Sequence, residues 1–323
     1  MRIPYREAQR LWECSYYEAK NRVEAGELPE GWLFRKLRTG PPDSADWPIR
    51  HKERKALWRR YAGVRKVLVL SDLHSPYAIR GLLDRAVCRE ADADLAIIGG
   101  DGVQADEFAS FTRYNPDDFD EEWEDILSVL VDLSSVMDVL FIMGNHERRV
   151  LRALMDKMQA PKWFKRRFPS MLDLLVFAAR EQSGRDNIHG LFDWFCVIGD
   201  AAICHADDFS RIPARTATDV ADYLRVNADE MWPDNAINAV VQGHTHHQTT
   251  TQYQGVLCIE SGCLCWDQDY RRRGKLGPGK KERWQRGYAV LQFDEKGRCL
   301  PNGSRHINLD GEYQQIARTV GAR

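Results

Sequence analysis

Short apolar runs that each stop at a metal-type side chain constrain this chain more than any other feature. "KVLVLS" (66–71) leads into Asp72 and His74, "DLAIIGG" (94–100) into Asp101, and "DVLFIMG" (138–144) into Asn145 and His146. "AAIC" leads into His205, and "NAVVQG" (238–243) into His244 and His246. Brief aliphatic, β-branched runs bounded by Gly, Asp or Asn read as buried strands. "AIRGLLDRAVCREA" (78–91) and "DEEWEDILSVLVDLSSV" (120–136) carry helical periodicity between them. Strand and helix therefore alternate, which predicts a sheet with crossover helices. "WFCVIG" (194–199), "GVLCIE" (255–260) and "YAVLQF" (288–293) add strands, with a helix near 216–229 between two of them. The closer spacing in this later part predicts a mixed sheet or two packed sheets.

Loops beyond the carboxyl ends of such strands meet at one edge. The donor residues are therefore expected to crowd one crevice. A carboxylate among neutral imidazoles is a divalent-metal environment, and the number of donors suits two ions. Each signal alone has a plainer reading. D-x-H after a strand is weak, "GNHE" can be a capped turn, and a single His205 is commonly a satisfied core histidine. "GHTH" is stronger, because alternate residues present both imidazoles to one place. The conjunction at successive strand ends is what points to metal.

Composition sets the bounds. The chain has 323 residues, 43% hydrophobic and 29% charged, with a formal net charge of −2. That is ordinary for a soluble globular protein and argues neither for nor against nucleic acid. No apolar run reaches the length of a membrane span, and "MRIPYREAQRLWEC" lacks the apolar stretch of a signal peptide. The eight cysteines include no C-x-x-C pair, so a structural zinc site is not expected. The reading is a cytoplasmic protein with reduced thiols and no membrane partner. Oligomeric state is open.

A Pro/Asp/Ser-rich stretch, "RTGPPDSADWP" (38–48), reads as a linker and divides a small helical segment, 1–60, from a large domain, 61–323. Residues 1–60 carry 14 Lys/Arg against 9 Asp/Glu. "REAQRLWECSYYEAKNRVEAGELP" (6–29) resembles the small helix-turn-helix modules of excisionase and MerR type, in which a second helix enters the major groove. Its second helix mixes Glu18 and Glu24 with Lys20 and Arg22, so a docking hairpin stays open beside DNA binding.

The motif order D-x-H, G-D, G-N-H-E, a lone His and G-H-x-H resembles that of the calcineurin-like metallophosphoesterases, over roughly residues 65–295. "DLHSPY", "GNHERR", "GCLCWDQDY" and "RWQRGYAVLQF" look most like phage- and prophage-type members. The resemblance implies an α/β fold, two mixed β-sheets packed face to face with helices outside. It implies two divalent transition-metal ions, manganese first, with iron, zinc or nickel compatible. It puts one ion on Asp72, His74 and His246, the other on Asn145, His205 and His244, and Asp101 between them. His146 would be a catalytic residue near the leaving-group oxygen and not a ligand. Many members read G-D-x-x-D; here Gln104 replaces the second Asp, leaving an amide donor or a plain loop residue.

The chemistry implied is hydrolysis of a phosphoester by metal-activated water. Arg148 and Arg149, directly after "GNHE", are candidate clamps on phosphoryl oxygens, with Asn145 as a further substrate contact; their bland reading is a solvated first helical turn. Basic residues cluster at 148–168 and at "RRRGKLGPGKKERWQR" (271–286), which has eight Lys/Arg against one Glu. Such segments beside the crevice would favour DNA or RNA, and away from it they are solvated loops. The leading expectation is a phosphodiesterase or nuclease. The alternatives are a general phosphomonoesterase and a DNA-binding protein with a vestigial catalytic domain.

Overall fold

The computed structural model describes residues 60–109, 118–157, 170–227, 236–267 and 284–320. The helix-turn-helix-like stretch 6–29, the part 158–168 of the basic stretch 148–168, and Arg271 to Arg283 lie outside these. In chain order the elements are β1 (Lys66–Leu70), α1 (Arg80–Arg89), β2 (Leu95–Gly99), α2 (Phe119–Ser134), β3 (Asp138–Ile142), α3 (Asn145–Lys157), α4 (Met171–Ser183) and β4 (Ile188–Leu191). Then come β5 (Phe195–Ile198), β6 (Ala201–Cys204), α5 (Arg215–Val226), β7 (Ala239–Gln242), β8 (Gln248–Tyr253), β9 (Val256–Ser261), β10 (Gly287–Gln292), β11 (Arg305–Asn308) and α6 (Asp310–Thr319). A short 3-10 turn, Asp106–Phe108, follows β2.

Two mixed sheets result. One has six strands in the order β11-β10-β1-β2-β3-β4, the other five in the order β5-β6-β7-β9-β8. Strands β1 to β4 run parallel, and β10 lies antiparallel to β1. In the second sheet β6, β7 and β9 are parallel, with β5 and β8 antiparallel at the edges.

Period-two alternation explains the layering. Leu68, Leu70, Ala96, Ile98, Val139 and Phe141 pack into the core shared with α1, α2 and α4. Their neighbours Val67, Val69, Leu95, Ile97, Leu140 and Ile142 face the second sheet, where they meet Ile203, Val241 and Ile259. Ala202, Val240 and Cys258 pack on α5. The order is helix, sheet, sheet, helix. A strand buried on both faces needs an unbroken apolar run, which is what β1, β2 and β3 supply. Truncating one of these side chains, Leu68→Ala for example, costs about 2–5 kcal/mol in such a core.

Helix α2 begins where Asp118 caps the Asp120 N–H at 2.9 Å, and Asp120, Glu121 and Glu122 fill its first turn. Those carboxylates stand at the positive end of the helix dipole, where negative charge is stabilising. No helix among the described residues is long and apolar enough to cross a membrane.

Candidate metal centre

The carboxyl ends of β1, β2, β3, β6 and β7 open onto one crevice. Beyond their strands the first two loops stay zipped. The Asp72 N–H donates to the Gly100 carbonyl at 3.2 Å, that of His74 to Asp101 at 2.9 Å, and that of Ser75 to Gly102 at 2.8 Å. Five of the seven expected ligands occupy left-handed backbone: Asp72 (φ 56°), His74 (49°), Asp101 (51°), His244 (66°) and His246 (56°). Each such non-glycine residue costs about 1–3 kcal/mol and persists only where its surroundings enforce it. Gly144 shows how tightly they do. A Cβ there would lie 2.2 Å from Asp101 Oδ1 and 2.3 Å from Asp101 N. At Gly100 (φ +88°) a Cβ would meet the His205 ring at 2.4 Å.

Glu147 is the keystone of the loops. Its Oε1 accepts the N–H groups of Gly102 (2.9 Å) and Val103 (3.2 Å), and Oε2 those of Asp101 (3.1 Å) and Gly144 (2.7 Å). Burial pushes its carboxyl up to about 7, and the neighbouring Asp101 charge adds to this; the backbone donors pull the other way. Glu122 does similar work one step out, accepting the Ala105 N–H at 2.5 Å.

The donors converge. His205 Nε2 is 3.2 Å from Asp101 Oδ2, His246 Nε2 is 3.1 Å from Asp72 Oδ1, and His74 Nε2 is 3.2 Å from His246 Nε2. Asp101, His205 and His244 offer ligand atoms within 4.8 Å of one another. His74, Asp101 and His146 form a second such group, so Asp101 belongs to both. Asp72 is anchored through Oδ2, which accepts from Ser71 Oγ (2.5 Å) and the His244 N–H (2.9 Å), leaving Oδ1 to the crevice.

Asp72 Oδ1, Asn145 Oδ1 and His205 Nε2 are buried without a hydrogen-bond partner, as are His74 Nδ1 and His246 Nδ1. The His205 Nδ1–H donates to the Gly99 carbonyl at 2.6 Å, so in the neutral ring a bare Nε2 lone pair faces a carboxylate oxygen. A proton or a cation must separate them. Burial lowers the His205 pKa, but Asp101 outweighs it and holds the ring up to about 10. Buried His74 is pushed well below the usual range, with His146 adding to the effect. Asp72, despite burial, is brought down to about 2 by His246. Lone pairs exceed protons here, so the residues present fit divalent cations.

His146 sits differently. Its Nδ1–H donates to the Gln104 carbonyl at 2.7 Å, and Nε2 accepts from Arg149 Nη2 at 2.7 Å. The ring is neutral, brought down to about 4 chiefly by burial. Its Nε2 lies 3.7 Å from Asp101 Oδ2, and its ring stacks edge-on to His74 at 4.6 Å. The backbone carbonyl of Gln104, rather than its amide, is thus what orients His146. Arg149 also reaches that carbonyl at 3.0 Å and Asp106 at 3.4 Å. Arg148 turns away to pair with Asp207 and lines a cavity of about 290 Å³ with Trp194, Thr216, Asp219 and Tyr223.

Several residues at the site were not expected. Glu147 was legible only as the last letter of "GNHE". Trp284 packs edge-on against His246 with ring centroids 4.1 Å apart. Arg286, counted with the basic loop, is 3% exposed; it bonds Asp267 at 2.6 Å and lies 4.2 Å over the Tyr313 ring. It is a fixed internal charge, not a solvated one.

A family model described as calcineurin-like phosphoesterase matches residues 65–271, more than half of the chain. No curated protein matches in sequence. Similar solved structures include a novel archaeal phosphodiesterase, 15% identical with a TM-score of 0.35, the match covering 76% of this chain and 99% of that one. Another is a metallophosphoesterase from Sphaerobacter thermophilus, 13% identical with a TM-score of 0.34, covering 80% and 95%. A third is Vps29 from Entamoeba histolytica in complex with zinc, 14% identical with a TM-score of 0.33, covering 71% and 87%. The matched span holds all seven donor residues and strands β1 to β9 beneath them, and the chain belongs to the calcineurin-like phosphoesterase family.

Proposed function

We propose that this chain is a dinuclear metal-dependent phosphodiesterase acting on nucleic acid or nucleotides. One observation carries the reading. Strand ends far apart in sequence bring buried oxygen and nitrogen atoms against one another: His205 Nε2 lies 3.2 Å from Asp101 Oδ2, His246 Nε2 3.1 Å from Asp72 Oδ1 and His74 Nε2 3.2 Å from His246 Nε2. Asp72, His74 and His246 would hold one ion, and Asn145, His205 and His244 the other. Asp101, within ligand reach of His74 on one side and of His205 and His244 on the other, would bridge them. Two such ions acidify water and neutralise charge on phosphoryl oxygens. The chain's own part is positional. Glu147 fixes the loops, the Gly99 carbonyl fixes the His205 tautomer, and the Gln104 carbonyl fixes that of His146. His146 and Arg149 form a neutral–cationic pair beside Asp101, suited to receive a non-bridging or leaving oxygen. The basic residues at 152–168 and 271–283 support a polyanionic substrate.

Turnover of bis-p-nitrophenyl phosphate against p-nitrophenyl phosphate, with Mn²⁺ supplied, tests this. The diester is expected to be the better substrate, and cleavage of DNA or RNA should fall steeply between low and moderate salt. Preference for the monoester makes the protein a general phosphatase, and no turnover of either makes it a binding protein on a phosphoesterase fold.

A further inference from the structure

The segment after β9 brings sulfur to the crevice. Gly262 to Trp266 runs alongside the loop that carries Asp72 and His74. The Leu264 N–H donates to the Asp72 carbonyl at 3.3 Å, Ile79 N–H to the Leu264 carbonyl at 2.8 Å, and Trp266 N–H to the Tyr77 carbonyl at 2.9 Å. Leu264 enters the core of the first sheet, and Cys265 follows it on the other side of the alternation. Cys265 Sγ and ring nitrogens of His74 and His246 all lie within 4.8 Å of one another, and all three residues are buried. The neighbouring Cys263 thiol donates to the Gln285 carbonyl at 3.7 Å. Arg286 donates to the Cys265 carbonyl at 3.2 Å and so fixes the backbone there; burial and the neighbouring Cys263 hold the Cys265 thiol well above its usual range, so a bound cation must displace its proton. The same crevice holds Asp72 Oδ1, 3.1 Å from His246 Nε2, which in turn lies 3.2 Å from His74 Nε2, all on residues at most 5% exposed.

We infer that Cys265 is a metal ligand, adding a thiolate to the position formed by Asp72, His74 and His246. The inference rests on the metal-centre reading above and deepens it. The two positions then differ in kind. One combines sulfur, nitrogen and oxygen; the other has nitrogen and oxygen alone. Soft thiolate ligands select zinc-like ions, whereas carboxylate and carbonyl donors suit manganese. The Cys265 position therefore retains Zn²⁺ or Co²⁺ in preference to Mn²⁺, and the Asn145 position lacks that preference.

The full chain, stripped with chelator and reloaded with Co²⁺, provides a readout independent of turnover. Expected are visible ligand-field bands together with a near-ultraviolet thiolate-to-cobalt band. Cys265→Ser should lose the near-ultraviolet band and keep visible absorption, while Cys263→Ser keeps both. Zn²⁺ affinity at this position should fall at least about tenfold in Cys265→Ser, with Mn²⁺ affinity little changed. Should that variant not fold, zinc-edge X-ray absorption of the wild-type chain decides, since a sulfur ligand gives a shell near ~2.3 Å. Visible bands without the near-ultraviolet band, a band that survives in Cys265→Ser, or the lack of a sulfur shell overturns the assignment and leaves the metal centre standing. No cobalt absorption at all overturns both.

Discussion

Arg149 Nη2 lies 2.7 Å from His146 Nε2, while the other ring nitrogen, Nδ1, meets the Gln104 carbonyl at 2.7 Å. The ring is pinned at both nitrogens, donor on one side and acceptor on the other. It can serve as an acid only once Arg149 moves aside and Nε2 gains a proton. His146→Ala is therefore expected to keep its metals and lose activity by about 10²–10⁴-fold, most for poor leaving groups. Arg149→Met should free Nε2 and raise the His146 pKa. Rates with two leaving groups, together with metal content, check this. If His146→Ala releases a metal ion, the histidine is a ligand.

Glu147 accepts four backbone N–H groups from two loops that are far apart in sequence. Glu147→Gln keeps the shape and turns one acceptor into a donor that faces other donors. In metal-free protein it should cost about 2–3 kcal/mol of unfolding free energy, because buried donors lose a charged partner. Urea unfolding in the presence of chelator measures it. A variant as stable as wild type would mean the carboxylate is not what holds the loops.

His189 gives a pH signature away from the metals. Arg180 Nη2 sits 2.9 Å from its Nδ1, and burial, then Arg60 and Arg180, bring it from 6.5 to about 4. With the folded pKa depressed, the unfolded chain binds the extra proton. The contribution of neutral His189 is complete above 6.5 and is lost as pH falls from 6.5 towards 4. Discounted for solvent screening, the loss is about 1–2 kcal/mol. His189→Gln should flatten stability against pH over that interval. An unchanged slope in denaturant midpoints contradicts the assignment.

The strands that carry the donors were legible because they are buried on both faces and read as unbroken apolar runs, β1, β2 and β3 above all. Strands β8 ("QTTTQY") and β11 ("RHIN") were not, since edge strands with an exposed face carry polar residues that propensity assigns to loops. β4, "IHGL", is too short and too mixed for a period to show. Helix α4 opens on a Ser170–Asp173 capping box, a start signal carried by two polar residues rather than by an apolar period. At the site, residues standing just past strand ends were found. Glu147, Trp284 and Cys265 were not, because they act through backbone groups or arrive from a segment nearly two hundred residues beyond Asp72.

Metal stoichiometry of the reconstituted chain bears most directly on the bridging role of Asp101. After loading with excess Mn²⁺ or Zn²⁺ and desalting, elemental analysis should give about two ions per wild-type chain, as a two-metal site requires. Asp101→Ala, which removes the carboxylate common to both donor groups, should hold at most one. Zero ions in the wild type, or two retained by Asp101→Ala, would contradict the account.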